Sequence, residues 1–216
     1  GIKLMFVVKA NAYGHGAAAC AASAEKEKLA DWLGVSSVEE GVALREAGAR
    51  LPILVLGSLY PFESFLAAAD YRLTPTVASL ESAQRLVEAA RTLGRRVACH
   101  IKVETGMGRI GASPAAAVAA AECLLAEPLV RIEGLYTHLS CAESNPVFTR
   151  RQLKRFNEAL SALKRLKIKV PLRHAANSAG ALRYPAARFN LVRPGLALYG
   201  LYPGFKPILS LKSKVV

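Results

Sequence analysis

A lysine at the end of an apolar run is the first candidate for chemistry. Residues 4–8 are apolar, Lys9 follows them, and Asn11, Tyr13 and glycines at 14 and 16 come next. A lysine in this position commonly extends its amine past the end of the strand into water. A polar, glycine-containing segment is also typical of a ligand loop, where burial lowers the pKa of the amine and lets it form a Schiff base with a carbonyl. The pattern therefore indicates either a solvated lysine or a nucleophile.

Four more stretches place polar groups where predicted strands end. They are 100–109 (HIKVETGMGR), 136–138 (YTH), 174–178 (HAANS) and 192–196 (VRPGL). Each also has a structural interpretation, because tight turns explain the glycines, helix capping explains the polar residues after 176, and a single histidine is more often structural than catalytic. Gly195 would allow the backbone to approach a ligand closely. Taken singly, none of these stretches identifies a site.

Short apolar runs alternate with Ala-, Leu- and Arg-rich runs, which predicts repeated β-then-α units and a parallel sheet. The predicted strands are 4–8, 32–35, 53–56, 73–77, 97–103, 132–138, 172–175 and 191–199. The predicted helices are 17–29, 38–47, 61–69, 80–93, 114–125, 149–166 and 178–182. Ser79 is expected to cap one helix, and Ser113 followed by Pro114 another. Eight such strands predict an α/β fold, a (β/α)8 TIM barrel, with a doubly wound open sheet as the alternative.

The barrel prediction brings the polar stretches together. Barrel enzymes place their active sites at the carboxyl ends of the strands and bind phosphate near the loops after strands seven and eight. The residues predicted at or near that face are Lys9, Arg109, His138, Ser178 and Gly195. A lysine, a phosphate pocket and an arginine together are typical of a pyridoxal 5′-phosphate site.

Composition excludes several classes of protein. The chain of 216 residues is 52% hydrophobic, which excludes a disordered or fibrous protein, and no apolar stretch reaches the length of a membrane span. Its 29 Lys and Arg against 16 Asp and Glu give a formal net charge of +13. Charge alone identifies no partner, and without interleaved aromatics it does not favour nucleic acid. The four cysteines have no CxxC spacing, so neither zinc nor a disulfide framework is predicted.

The ends of the chain suggest its domain organisation. We expect one barrel domain over 1–205, with 206–216 as the start of a C-terminal β domain, because ILSLKSKVV at 208–216 partly alternates like a strand. The first strand begins almost at residue 1 and no signal peptide precedes it, so the protein is expected in the cytoplasm. The sequence is expected to be cut from a longer protein at both ends.

Five motifs, in their order and spacing, resemble the N-terminal barrel domain of alanine racemase. They are VVKANAYGHG (7–16), IKVETGMGRIG (101–111), THLS (137–140), HAANSA (174–179) and FNLVRPGLALYG (189–200). The resemblance runs over residues 6–202. It implies a fold-type III pyridoxal 5′-phosphate enzyme, an isomerase that interconverts L-alanine and D-alanine for peptidoglycan precursors and acts as a cytoplasmic homodimer.

The resemblance also implies how the cofactor is held. Lys9 would bind it covalently and serve as the base on the D-face of the substrate α-carbon. The phosphate would be held by the hydroxyls of Tyr13 and Ser178 and the amides of Gly195 and Leu196, with Asn177 nearby.

Four further roles are implied for basic residues. Arg193 would face the pyridine nitrogen, and His138 would lie against the ring and support that arginine. Arg109 would reach the phenolic oxygen of the cofactor and the substrate carboxylate. Lys102 matches a lysine that is often carbamylated in the family, and the carbamate would orient Arg109.

One required group has no counterpart in the sequence. Racemisation needs two acid/base groups on opposite faces of the α-carbon. The resemblance implies that the second is a tyrosine from the C-terminal β domain of the partner subunit, and the tyrosines at 60, 71, 136, 184, 199 and 202 do not match it. We therefore expect this chain alone to bind the cofactor and to racemise alanine poorly or not at all.

Several alternatives remain open from the sequence. A serine or broad-specificity amino-acid racemase would share every motif above. A non-catalytic pyridoxal phosphate-binding module for cofactor homeostasis, an engineered or degenerate fragment, and an RNA-binding barrel are the others.

Overall fold

The computed structural model describes residues 1–210 and 212. The strands are β1 (Lys3–Val7), β2 (Trp32–Val35), β3 (Ile53–Val55), β4 (Thr76–Val77), β5 (Val97–Lys102), β6 (Val130–Tyr136), β7 (Leu172–His174) and β8 (Leu191–Val192). The right-handed α-helices are α1 (Ala17–Lys26), α2 (Val38–Glu46), α3 (Phe62–Asp70), α4 (Leu80–Leu93), α5 (Pro114–Leu125), α6 (Pro146–Arg165) and α7 (Ser178–Arg183). A 3₁₀ turn, Pro185–Ala187, precedes β8. The turn at Lys9–Tyr13 is left-handed and belongs to the site below.

All strand pairs are parallel, and the strands form two sheets with the orders β3-β2-β1-β8 and β4-β5-β6-β7. A parallel bridge between Leu54 and Thr74 joins the sheets on one side. On the other side the Arg193 amide donates to the Ala176 carbonyl at 2.9 Å. The two sheets therefore close into the (β/α)8 barrel predicted from the alternation of elements.

Local sequence explains most of the element boundaries. β2 and β3 are buried along their whole length, as expected for strands covered on both faces. Ser79 caps α4 in a reciprocal capping box with Ser82, and Ser113 caps α5 ahead of Pro114. Both predicted caps are confirmed.

The structure differs from several of the predicted elements. β4 begins at Thr76 and not at residue 73, α1 ends at Lys26 and not at residue 29, and β6 is shifted by two residues toward the N-terminus. The eighth strand was expected over 191–199 but ends at Val192, because Pro194 has no N–H for a ladder and the chain turns at Gly195. The sixth helix begins at Pro146, three residues before the predicted start, with Asn145 as its cap. Residues 207–210 and 212 are not in a strand, and the rest of the predicted tail strand lies outside the described residues.

The interior of the barrel has a packed, mainly apolar centre and a polar end. Six buried residues from six strands form its packed centre: Met5, Trp32, Leu54, Tyr136, Leu172 and Leu191. Buried polar side chains, including His100, Lys102, His174 and Arg193, come from the carboxyl-terminal halves of β5 and β7 and from the residue after β8. The polar end therefore faces the edge at which a barrel site is expected. Within the described part of the chain, no helix combines the length and apolar composition that crossing a bilayer requires.

Candidate functional site

A cavity of about 160 Å³ opens at the carboxyl ends of the strands. Its lining contains eight of the ten residues singled out from the sequence: Lys9, Tyr13, His138, Asn177, Ser178, Arg193, Gly195 and Leu196. Val7, Leu56 and Glu143 complete the lining. The loops after β1, β6, β7 and β8 therefore meet at one place, as the barrel geometry predicts.

Lys9 reaches this cavity from a strained turn. The four residues from Ala10 to Tyr13 have φ angles between 51° and 55°, a left-handed conformation that costs about 1–2 kcal/mol for each non-glycine residue. The turn is held from outside, since the Ala10 amide donates to Glu40 Oε1 at 2.7 Å and the Ala17 amide donates to Asn11 Oδ1 at 2.9 Å. Backbone strain of this kind is concentrated at functional sites.

Ser178 is the centre of a group of hydrogen-bond donors. The amides of Gly195 and Ala197 donate to Ser178 Oγ at 3.1 and 3.2 Å. The Tyr13 hydroxyl lies against Gly195, where an added Cβ would come within 2.7 Å of it. Ser178 Oγ thus accepts from two amides, which leaves its own hydroxyl proton to donate, and the Tyr13 hydroxyl lies against Gly195 beside it. This arrangement is suited to the oxygens of an anion.

Asn177 lines the cavity and also caps α7. Its Oδ1 accepts from the Gly180 amide at 2.9 Å, and its Nδ2 donates to the Leu139 carbonyl at 3.3 Å. The capping interpretation of this residue is therefore correct, and the same bonds fix its position at the cavity wall.

Arg193 is buried at the base of the cavity and mostly committed to the protein. Its Nη1 donates to His174 Nδ1 at 2.7 Å, and its Nη2 donates to the carbonyls of Thr137 and Ala175 at 2.7 and 3.2 Å. A guanidinium has five N–H donors, so two, one on Nε and one on Nη1, are left for a ligand. Burial lowers the pKa of Arg193 to about 10, which leaves it charged at neutral pH.

His138 is neutral in this environment. Burial, followed by the charges of Arg193 and Lys102, lowers its pKa to about 3. Its backbone carbonyl accepts from Gln152 Nε2 at 3.0 Å, which fixes the segment after β6. An uncharged imidazole in the lining can pack against a ligand ring without adding to the positive charge.

Lys102 and Arg109 do not line the cavity. Lys102 is buried in the barrel with its Nζ 5.4 Å from the centre of the Tyr136 ring, and burial together with the charge of Arg193 lowers its pKa to about 8. Arg109 is exposed on the loop after β5. Both charges nevertheless contribute to lowering the pKa of His138, so they lie within electrostatic range of the site.

The loop that carries Arg109 is organised by Glu104. Its carboxylate accepts from the amides of Gly106, Met107 and Gly108, at 2.6 and 2.9 Å for the last two, and from that of Arg109 at 3.4 Å. Burial opposes ionisation of Glu104, but these bonds outweigh it and hold its pKa below the ordinary value. The carboxylate thus fixes the loop at its base.

Replacing Glu104 with glutamine is expected to loosen this loop. The amide has one acceptor oxygen and brings an NH₂ group toward four donors, so exchange of the backbone amides of 106–109 should rise by about tenfold. Hydrogen–deuterium exchange measures this, with Glu122→Gln on the surface of α5 as the control. In the native chain the lowered pKa means that the stabilisation is complete above the unfolded-state pKa and is lost as the pH falls through the folded-state value. Equal exchange in both variants would contradict the role.

Sequence reasoning missed several contributors to the site. Glu143 lines the cavity but lies in an irregular segment with no motif around it. Glu104 and His174 stand inside motifs that were recognised, yet neither had been given a role. Their partners are distant in sequence, so only the closed barrel shows what they contact.

Fold and site together define a class: a parallel (β/α)8 barrel with a lysine-bearing, positively charged ligand cavity at the carboxyl edge of its strands. The family model described as "Alanine racemase, N-terminal domain" matches residues 1–203. The chain belongs to this family, which confirms the resemblance seen in its motifs.

Individual relatives agree with this assignment. The chain is 45% identical to an alanine racemase of Symbiobacterium thermophilum, over 93% of this chain and 53% of that protein, and 39% identical to one of Synechocystis, over 98% and 59%. A structure of alanine racemase from Clostridium difficile in complex with cycloserine superposes with a TM-score of 0.86 at 36% identity, covering 96% of this chain and 57% of the other. The chain thus spans between about half and three-fifths of the length of these relatives.

Proposed function

We propose that this chain binds pyridoxal 5′-phosphate and supplies the cofactor-binding half of an alanine racemase, which interconverts L-alanine and D-alanine. One observation carries the proposal. Lys9, Ser178 and Arg193 all line a single cavity, and Arg193 keeps two N–H groups that its bonds to the protein do not use.

The cavity fits an anionic ring compound of this kind. In the lining, Lys9 and Arg193 outnumber the carboxylate of Glu143. Lys102 and Arg109 lie within electrostatic range, so the site has an excess of positive charge. A phosphate oxygen near Ser178 would accept hydrogen bonds from the hydroxyls of Ser178 and Tyr13. Because Gly195 has no side chain, the Tyr13 hydroxyl can lie against its backbone at this point.

When bound, pyridoxal phosphate draws electrons from the α-carbon of an amino acid and so acidifies its hydrogen. The residues of this chain then have separate tasks. Lys9 Nζ, at the cavity wall, would hold the cofactor covalently and move the proton at the α-carbon on the D-face. Arg193 can only donate hydrogen bonds, so a ring nitrogen that faces it stays unprotonated. His138 would pack against the ring, and Arg109 would swing in toward the substrate carboxylate.

A second acid/base group is needed on the opposite face. Within residues 1–210 and 212, Tyr13 is the one tyrosine in the cavity lining, and it lies on the Gly195 side. Tyr199 is buried and donates to the Val7 carbonyl at 2.9 Å, and Tyr202 lies 3.4 Å from Glu143 Oε1. We propose that a tyrosine from a C-terminal β domain, beginning near 206 and belonging to the partner of a cytoplasmic homodimer, completes the site. D-alanine made there would serve peptidoglycan synthesis.

The proposed function is tested by comparing pyridoxal phosphate with pyridoxal, which lacks the phosphate. We expect the phosphate form to bind about a hundredfold more tightly, because charge-assisted hydrogen bonds are the strong ones. Gly195→Ala, which displaces the Tyr13 hydroxyl, should remove much of that difference and leave pyridoxal binding unchanged. Equal binding of the two compounds would refute the phosphate site.

Racemisation of alanine by this chain alone is expected to be weak or absent. The chain can then be combined with the proposed second domain. If it binds the cofactor but the combination still does not racemise alanine, the result would support a cofactor carrier or a racemase of another amino acid.

Lys102 is proposed to carry a carbamate that orients Arg109. Only a neutral amine adds carbon dioxide, and a pKa of about 8 leaves roughly a tenth of this amine neutral at pH 7 and most of it at about pH 9. We expect a carbamate carbon signal in ¹³C NMR with labelled bicarbonate, growing as the pH rises. The signal should disappear in Lys102→Met and persist in Lys154→Met, a surface control on α6. A native protein without the signal across this range would contradict the proposal.

A further inference from the structure

A line of three buried side chains runs from the cavity into the barrel. Arg193 Nη1 lies 2.7 Å from His174 Nδ1, and His174 Nε2 lies 2.9 Å from His100 Nδ1. Both histidines are fully buried. The far end of the line, His100 Nε2, is a buried polar atom without a hydrogen-bond partner within the described residues.

The chemistry of the arginine fixes every proton along this line. A guanidinium donates and cannot accept, so His174 Nδ1 must accept and the proton of His174 must be on Nε2. That N–H then donates to His100 Nδ1, which must also be an acceptor. The proton of His100 is therefore on Nε2, and neither imidazole can be charged without breaking a bond to its neighbour.

We propose that His100 is a positioning residue, which holds His174 in its Nε2–H form. The Nδ1 lone pair of His174 is thereby kept directed at Arg193, whose guanidinium lies at the cavity. Every hydrogen bond along the line has the same direction, with its donor on the side nearer to Arg193. The line begins at a permanent cation and ends at a buried N–H, so it presents a fixed positive donor to the ligand and has no exit for the proton. The effect of this hydrogen-bond line on cofactor binding rests on the proposed function. The proton positions of His100 and His174 do not depend on it.

The surroundings hold both rings in place. The His100 ring lies flat on Gly134, where an added Cβ would come within 2.6 Å of His100 Nδ1, and its centroid is 5.1 Å from that of Trp32. His174 stacks on Tyr136 at 4.7 Å with an interplanar angle of 4°. Neither ring therefore has space to turn over and exchange its two nitrogens.

The charges around the two rings oppose protonation. His100 is affected by burial first and then by the charges of Arg193 and Arg131, which lower its pKa to about 3. His174 is affected by burial, Arg193 and His100, and its pKa is far below the ordinary value. The Tyr136 hydroxyl, bonded to Thr76 Oγ1 at 2.8 Å, is neutral because burial raises its pKa to about 12. The neutral forms required by the geometry are thus also the forms favoured by the charges.

The direct test is ¹⁵N NMR of the protein labelled at histidine, without cofactor. Long-range ¹H–¹⁵N correlations distinguish the Nδ1–H, Nε2–H and charged forms, and the four histidines can be assigned by single substitutions. We expect His100 and His174 to stay in the neutral Nε2–H form from about pH 8 to about pH 5. A native spectrum with either buried ring charged, or carrying its proton on Nδ1, overturns the proposal.

Two variants test the positioning role. His100→Gln can still accept from His174 Nε2 through its amide oxygen, whereas His100→Leu cannot. We expect His174 to keep its single form in His100→Gln and to lose it in His100→Leu, with cofactor affinity about tenfold lower only in the latter. His174 unchanged in folded His100→Leu overturns the role. If His100→Leu does not fold, the glutamine variant and the native spectrum still test the positioning role. A His174 that carries its proton on Nδ1 in His100→Gln would contradict that role. A native chain in which both rings are in the Nε2–H form but which binds no pyridoxal phosphate would refute the proposed function. The assigned proton positions of His100 and His174 would still hold.

Discussion

Lys9→Ala is expected to abolish the visible absorbance band that appears when pyridoxal phosphate is added to the native chain. The band requires a covalent bond to an amine, and Lys9 is the lysine in the cavity lining within residues 1–210 and 212. The phosphate donors around Ser178 remain in the variant, so non-covalent binding should persist while the band is lost. The measurement is an absorbance titration, followed by borohydride reduction and mass mapping of the modified lysine.

The matched control is Lys3→Ala, at the other end of the same strand and exposed. It should behave like the native chain. Surface lysines also react slowly with aldehydes, so the decisive comparison is the site-specific adduct. Reduction that labels Lys9→Ala as strongly as the native chain, at another residue, would place the cofactor elsewhere.

Arg193→Met is expected to lower the free energy of unfolding by about 3 kcal/mol, the largest effect on stability among these predictions. Removing the guanidinium leaves the carbonyls of Thr137 and Ala175 and the Nδ1 of His174 buried without their donor. Relief of the burial of a charge offsets part of this cost. Because Arg193 also lowers the pKa of His138 and His174, both values should rise toward the ordinary range in the variant.

Urea denaturation followed by circular dichroism measures the change in stability. Arg173→Met is the control, since Arg173 lies on β7, next to His174 in sequence, and its side chain is exposed. It should change stability by no more than a few tenths of a kcal/mol. Similar midpoints for the two variants would show that the bonds of Arg193 contribute little to the fold and act only on the ligand.

Much of the fold could be predicted where local chemistry decides it. Helix α4 and helix α5 have the predicted boundaries because Ser79 and Ser113 cap them, and β2 has its predicted boundaries because an apolar run there is flanked by polar residues. The eighth strand was overextended because its apolar residues continue past Pro194, although the ladder does not. Apolar character predicts burial better than it predicts hydrogen bonding.

The site could be predicted in part for a different reason. In a parallel barrel, residues that follow strands must meet at one edge, so knowing the strands was sufficient to bring Lys9, His138 and Arg193 together. The same logic does not predict which atoms contact each other. The line from Arg193 through His174 to His100, and the bonds from the loop amides to Glu104, depend on contacts of 2.7 to 2.9 Å that no spacing along the chain encodes.

The left-handed turn after β1 has a consequence for the order of folding. Four adjacent residues in this conformation are unfavourable in a free chain, so they adopt it only after β1, β2 and the Glu40 end of α2 are already assembled around them. The turn carries Lys9 and Tyr13. We therefore expect the Lys9 amine to reach the cavity only after these neighbouring elements have assembled, so a nascent chain would not present a finished pocket to aldehydes.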